Sequence, residues 1–334
     1  LPPGDDTVKK LRLGTLAISP PLLLAPMVGV GHAALRTVLM ELGGVGLLST
    51  EMLSARKLPS SNPAHDPFLI RTAIERPLSY QMLVASPGDV APAMAALHRL
   101  GADAVDLNLG CPAPTIRRKG AGSKLAEDRD LVREVVAAAR RATSLPLSAK
   151  IRLGTELNAE KLRDFCLMLE GEGLDYLIVH GRLHKEPFVR RPHWEWIGKV
   201  KEWLTIPVIA NGGIFSVEDA RACLAASKAD GLMIGRAAPT TPWLFAELAH
   251  ALYHGPAPAA IDRPAIYRRF VAVLEEHFPP GRHLGRLKEF SHYFSKNYPF
   301  GHHLAMAVQN SQSMAEAVEA AETFFARHDP VDPA

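Results

Sequence analysis

Residues 103–112 read DAVDLNLGCP. The run is nearly continuous in its apolar residues and ends on Asn108, Gly110, Cys111 and Pro112. A strand of that kind is buried on both faces, which belongs to parallel sheets. Helix-like PGDVAPAMAALHRLG (87–101) precedes it and helix-like DRDLVREVVAAARRA (128–142) follows it. Strands alternating with helical periodicity predict βα units.

The pattern extends both ways. Strand-like runs occur at 21–27 (PLLLAPM), 45–52 (VGLLSTEM), 77–83 (PLSYQML), 103–110, 146–154 (PLSAKIRLG), 175–181 (DYLIVHG), 206–213 (IPVIANGG) and 230–235 (DGLMIG). Further helical candidates are HAALRTVLMEL, NAEKLRDFCLMLEGEG, SVEDARACLAAS and TPWLFAELAHAL. The count predicts an α/β fold, a (β/α)8 TIM barrel over residues 11–253, with function at the C-terminal strand ends. Polar residues gather there. Gln81 ends the third run, Asn108 and Cys111 the fourth, Lys150 and Arg152 the fifth. His180 ends the sixth, Asn211 the seventh, Gly235 and Arg236 the eighth. One such residue would read as a satisfied core polar group. Six strands converging on one mouth read as a site.

After residue 254 the character changes. GPAPAAIDRP reads as a linker, and AIYRRFVAVLEEHF, LGRLKEFSHYFSKNY and HHLAMAVQNSQSMAEAVEAAETFFARH read as helices. A small C-terminal all-α helical domain is expected over 262–330. Segments 182–193 and 263–303 are rich in Arg, Lys and His, and Arg117-Arg118-Lys119 follows the cysteine. Each run alone reads as a solvated face; together they could form a phosphate-binding surface.

The chain has 334 residues, 47% of them hydrophobic, and a formal net charge of +3. That supports a real core and proves no polyanionic partner. No apolar run approaches the ~18 residues of a membrane span. The N-terminus has no secretion signal pattern. Three cysteines without a CxxC argue against a disulfide framework and a structural zinc site, and fit a reducing cytoplasm. No metal and no membrane partner are expected, and the chain is expected to be a monomer.

ANGGI (210–214) and MIGRAA (233–238) place small residues where such barrels bind phosphate. Arg236 can add a charge-assisted contact. Pro26 and Met27 end the first run, Gln81 suits a ring edge with N–H and C=O, and Lys150 puts a cation near the ring. A flavin meets these demands. A phosphosugar also accepts the phosphate site and Lys150, and explains Met27 and Gln81 less well.

APM, YQM, DLNLGCP, KGAGSKL, SAKIRLG, IVHGR, VIANGGI and LMIGRAA occur in this order. Together, over roughly residues 11–330, they resemble the tRNA-dihydrouridine synthases, and within them most the bacterial B-type branch. The resemblance implies an FMN enzyme that reduces the 5,6 double bond of specific tRNA uridines, with NADPH as reductant. It implies Cys111 as proton donor and FMN held by Pro26, Met27, Gln81, Lys150, His180, Asn211, Gly213, Gly235 and Arg236. It implies Asn108 and Arg152 as contacts to the substrate uracil. Three departures stand out. Gly31-His32 replaces the family's Thr-Asp pair, Gly213 replaces its Asp after A-N-G, and the stretch after Arg182 lacks its Tyr-rich pattern.

The chemistry agrees with a thiol. When the 5,6 double bond is reduced, negative charge develops at C5 and O4 of the uracil, and a proton must reach C5. A thiol, with an ordinary pKa of about 8.5, is still protonated at pH 7 yet able to give its proton to carbon. Gly110 lets the loop approach closely and Pro112 stiffens it. Cys166 and Cys223, inside helical periodicity, read as inert buried thiols. Three other readings are a dihydroorotate dehydrogenase-like FMN barrel acting on a small molecule, an RNA-binding protein with a vestigial flavin site, and a flavin-free phosphosugar enzyme.

Overall fold

A computed structural model describes residues 9–63 and 66–328. A short antiparallel hairpin, β1 (Leu11–Leu13) and β2 (Leu16–Ile18), precedes eight parallel strands. These are β3 (Leu22–Leu24), β4 (Leu48–Ser54), β5 (Leu78–Leu83), β6 (Ala104–Asn108), β7 (Leu147–Arg152), β8 (Tyr176–His180), β9 (Val208–Asn211) and β10 (Gly231–Ile234). Each pairs with its neighbour in sequence, and β10 returns to β3. A parallel bridge from Leu23 to Leu47 joins β3 to the start of β4, so the sheet closes into a TIM barrel.

The period-2 alternation of strands sorts the side chains. Leu22, Leu24, Val105, Leu107, Ala149, Ile151, Leu177 and Val179 point outward into the layer between strands and helices. Leu23, Tyr176, Ile178, Ile209 and Met233 fill the barrel interior. Gln81, Asn108, Lys150, Arg152, His180 and Asn211 carry the inward parity at the C-terminal ends. The hairpin packs Leu13 and Ile18 against the interior cluster, and Gly14 abuts Asp175 just before β8, so it closes the N-terminal end. Its strands are three residues each, too short to show periodicity, and sequence reading passed over them.

Around the barrel lie α1 (Ala33–Leu42), α2 (Val90–Arg99), α3 (Pro114–Arg117), α4 (Arg129–Ala142), α5 (Ala159–Gly171), α6 (Trp194–Trp203), α7 (Val217–Ser227), α8 (Ala237–Thr240) and α9 (Leu244–Tyr253). Asp128, Asn158 and Ser216 cap α4, α5 and α7 by accepting backbone N–H groups. No α-helix connects β4 to β5 among the described residues; a 3-10 turn at Leu58–Ser60 stands there. Buried Arg36 holds that connection. Its Nε donates to Glu75 Oε2 at 2.5 Å, and its Nη atoms donate to the carbonyls of Gly31 and Ile70.

The C-terminal helices are α10 (Arg263–His277), α11 (His283–Phe294), α12 (His302–Asn310) and α13 (Met314–His328). The stretch expected as one helix from His302 breaks at Ser311, which is extended, and Glu316 accepts the Gln312 N–H before α13 begins. Phe270 and Phe290 stack at 3.8 Å. These helices share one hydrophobic core with the barrel. His32, one of the departures, sits at that junction. Its ring packs between Phe270 and Phe278 at 5.8 and 5.2 Å, and it provides no side-chain cap to α1. Burial, with Arg286 and Arg36 nearby, pushes its pKa well below the usual imidazole range. A neutral ring here trades a helix cap for contact with the second unit.

Candidate active site

A cavity of about 270 Å³ opens at the C-terminal mouth of the barrel. The structure brings all twelve sequence-expected residues to its wall: Pro26, Met27, Gln81, Asn108, Cys111, Lys150, Arg152, His180, Asn211, Gly213, Gly235 and Arg236. Parity places the strand-end residues, and the turns after β3, β6, β9 and β10 place the others.

The cysteine loop is held by a chain of amides. Asn108 Oδ1 accepts the N–H groups of Cys111 at 3.0 Å and Gly110 at 3.3 Å. Asn108 Nδ2 donates to Gln81 Oε1 at 2.8 Å, and Gln81 Nε2 donates to Asp106 Oδ2 at 2.6 Å. Ser148 donates to the other Asp106 oxygen. Each amide orientation is thereby fixed by its neighbour. From the other side, Ser123 N–H binds the Cys111 carbonyl, and a Cβ on Gly122 would sit 2.6 Å from that oxygen. Cys111 is a half-buried free thiol, whereas Cys166 and Cys223 are buried in α5 and α7 with their pKa values pushed up by burial.

Positive charge dominates the walls. Lys150, Arg152, Arg182 and Arg236 all line the cavity. Desolvation lowers the Lys150 pKa to about 8, against the pull of Asp106. Among the described residues its ammonium makes no hydrogen bond or ion pair. Asp106, beneath, is raised to about 6 by burial despite its two donors. His180 is pushed well below its ordinary pKa by burial and then by surrounding cations. Its Nε2 lies 2.9 Å from Arg182 Nη1. Arginine can only donate, so Nε2 accepts and the imidazole proton rests on Nδ1.

Several residues escaped sequence reading. Arg182 was visible in the HGR run, but its segment read as basic surface; it is instead almost wholly buried. Phe188 stacks on His180 at 6.0 Å and lies 4.6 Å from the Arg236 guanidinium, whose other neighbour is Phe215 at 5.4 Å. Met52 reaches the cavity through a register irregularity between Ser49 and Met52. Gly213 has φ +73°, and a Cβ there would meet the Pro192 ring at 2.7 Å. That close approach explains why this chain has glycine where the resemblance leads one to expect aspartate. Gly31 likewise lies against the Met27 carbonyl, 2.8 Å from an added Cβ.

Fold and site together define a (β/α)8 barrel with a cation-lined cavity at its C-terminal mouth. The description "Dihydrouridine synthase (Dus)" matches residues 23–331, and the chain belongs to that family. It is 32% identical to the probable tRNA-dihydrouridine synthase 1 of Synechocystis sp., over 87% of this chain and 82% of that protein. It is 34% identical to tRNA-dihydrouridine synthase B of Pseudomonas syringae pv. tomato, over 80% and 78%. B-type synthases are thus among the relatives that the chain resembles. Among solved structures, a 2-naphthoyl-CoA reductase complex superposes with a TM-score of 0.57 at 12% identity, covering 73% of this chain and 52% of that one. That likeness concerns the fold alone. Among the described residues no helix is long and apolar enough to cross a membrane, and no group of His, Cys, Asp or Glu could hold a metal ion.

Proposed function

We propose that this protein uses FMN and NADPH to reduce the 5,6 double bond of a uridine in tRNA, with Cys111 as the proton donor. The observation that carries the reading is the pairing, in one cavity, of a loop-fixed thiol with an ammonium that makes no hydrogen bond or ion pair among the described residues. The residues suit FMN. Backbone N–H groups around Gly213 and Gly235, with Arg236, would hold its phosphate; Pro26, Met27, Gln81 and Asn211 would border the ring; Lys150 and His180 would face its polar end. FMN, when bound, supplies the hydride that adds to C6 of the uracil.

The remaining chemistry falls to the chain. Arg152 faces the uracil carbonyls, where negative charge develops. Asn108 borders the base and holds the cysteine loop in register. Cys111 Sγ–H gives its proton to C5. The base must leave its stack to enter the cavity, so basic surface on the C-terminal helices would hold the RNA backbone. NADPH would reach the same mouth in a separate half-reaction.

The visible absorption spectrum tests this. A flavin spectrum that bleaches with anaerobic NADPH and recovers with tRNA lacking dihydrouridine is expected. Recovery with a small enone or free pyrimidine, but not with tRNA, would replace the substrate. A colourless protein that FMN cannot reconstitute would end the redox reading.

A further inference from the structure

A second cavity, of about 620 Å³, adjoins the first. It lies between the turn after β7 and the start of α5, beside the segment joining the cysteine loop to α4. Arg152 lines both cavities. Its Nη1 is anchored to the carbonyls of Leu183 and His184 at 3.0 and 3.3 Å. A single fixed guanidinium therefore forms a partition between the two spaces.

The lining identifies the occupant. Leu109, Ile151, Leu153, Leu162 and Phe165 make an apolar floor. Most rim charges are paired: Lys161 with Glu156 at 2.8 Å, Arg129 with Asp164 at 3.8 Å, and Glu127 with Arg117, which stands outside the lining, at 2.7 Å, while Glu160 adds an exposed carboxylate. Such a rim offers little to a phosphate. His184, 8% exposed, lies in the wall, and its Nδ1 has no hydrogen-bond partner among the described residues. An apolar slot with an aromatic wall and a few polar edges suits a neutral planar heterocycle, and single-stranded RNA is read by splaying bases into such slots.

We infer that this cavity holds the base of a nucleotide adjacent to the uridine being reduced, Arg152 lying between the two bases. The inference rests on the tRNA reading above. It makes the enzyme sensitive to the sequence beside its target through a site separate from the chemistry.

The test uses the holoenzyme, unmodified tRNA, and the same tRNA carrying an abasic nucleotide on either side of the target uridine. Thr155 is an exposed rim residue, so Thr155→Trp should narrow the cavity at small cost to stability. It should raise KM for tRNA about tenfold, the worth of one lost base contact, with KM for NADPH and the flavin spectrum unchanged. One abasic substitution should raise the wild-type KM similarly and add nothing in the Thr155→Trp variant. His184→Phe, which keeps the ring volume, should move KM in the same direction by less. Unchanged tRNA KM in both variants would overturn the second site and leave the substrate intact. A rise confined to KM for NADPH would assign the cavity to the reductant. Losses that multiply would show that base and cavity act independently. A wild-type enzyme that leaves tRNA unreduced would overturn both proposals.

Discussion

Asn108 Nδ2 donates to Gln81 Oε1 at 2.8 Å, and that bond sets which way the Asn108 carbonyl faces. The carbonyl consequently accepts from Gly110 and Cys111 and places the thiol. Asn108→Ala should therefore leave flavin content intact and slow flavin reoxidation by tRNA by about 10²-fold, the scale of an ångström-sized misplacement. Stopped-flow reoxidation measures it. A rate within twofold of wild type would show that the loop holds itself.

Cys111→Ala should keep the flavin, the tRNA affinity and the rate of reduction by NADPH. Reoxidation by tRNA should fall by about 10²–10⁴-fold, the range for loss of a general acid. Full turnover would assign the proton to another donor.

Lys150→Met removes a cation facing the ring site. With FMN bound as proposed, its anionic reduced form should lose about 1.5–3 kcal/mol of charge-assisted stabilisation, which lowers its midpoint potential by about 30–60 mV at pH 7. Dye-coupled potentiometry reads the shift. An unchanged potential would place Lys150 on the substrate alone.

Asp106 governs a stability trend. Its folded pKa of about 6 lies above its ordinary value of 3.8, so the folded state holds the proton more tightly than the unfolded chain. Its favourable contribution is complete below pH 3.8 and is lost as pH rises through 6. Relative to Asp106→Asn, the wild type should lose about 3 kcal/mol across that window, most visibly between about pH 4 and 6 in urea titrations. A difference that stays flat or grows with pH would mean the carboxyl is already ionised when folded.

Glu75→Ala leaves the Arg36 guanidinium buried without its anion. Unfolding free energy should fall by about 3–5 kcal/mol. Arg36 and Glu75 lie outside the cavity lining, so kcat of the surviving folded protein should hold.

The barrel was legible because eight largely apolar runs recur between helical stretches, several of them turning polar at the inward positions of their C-terminal ends. Gln81, Lys150, His180 and Asn211 could be picked out on that basis. Arg182 and Phe188 could not, since a basic loop reads the same whether it is solvated or folded into a cavity. The β4–β5 connection was equally opaque. Its order comes from Arg36, which is distant in sequence from Glu75 and Ile70. Gly213 read as a departure until Pro192 was seen against it, a contact across a loop that no local pattern records.

The shared core of barrel and C-terminal helices, with His32 clasped by Phe270 and Phe278, bears on target choice. A hinged appendage could swing to present one loop of an RNA or another. If the C-terminal helices hold the RNA as proposed, a welded unit acts as a caliper, with a constant span between that grip and the proposed proton-donor thiol. For an enzyme that modifies a folded RNA, such rigidity turns the selection of one uridine into a matter of length. Small insertions at the α10 junction would then shift the modified position before they abolish the activity.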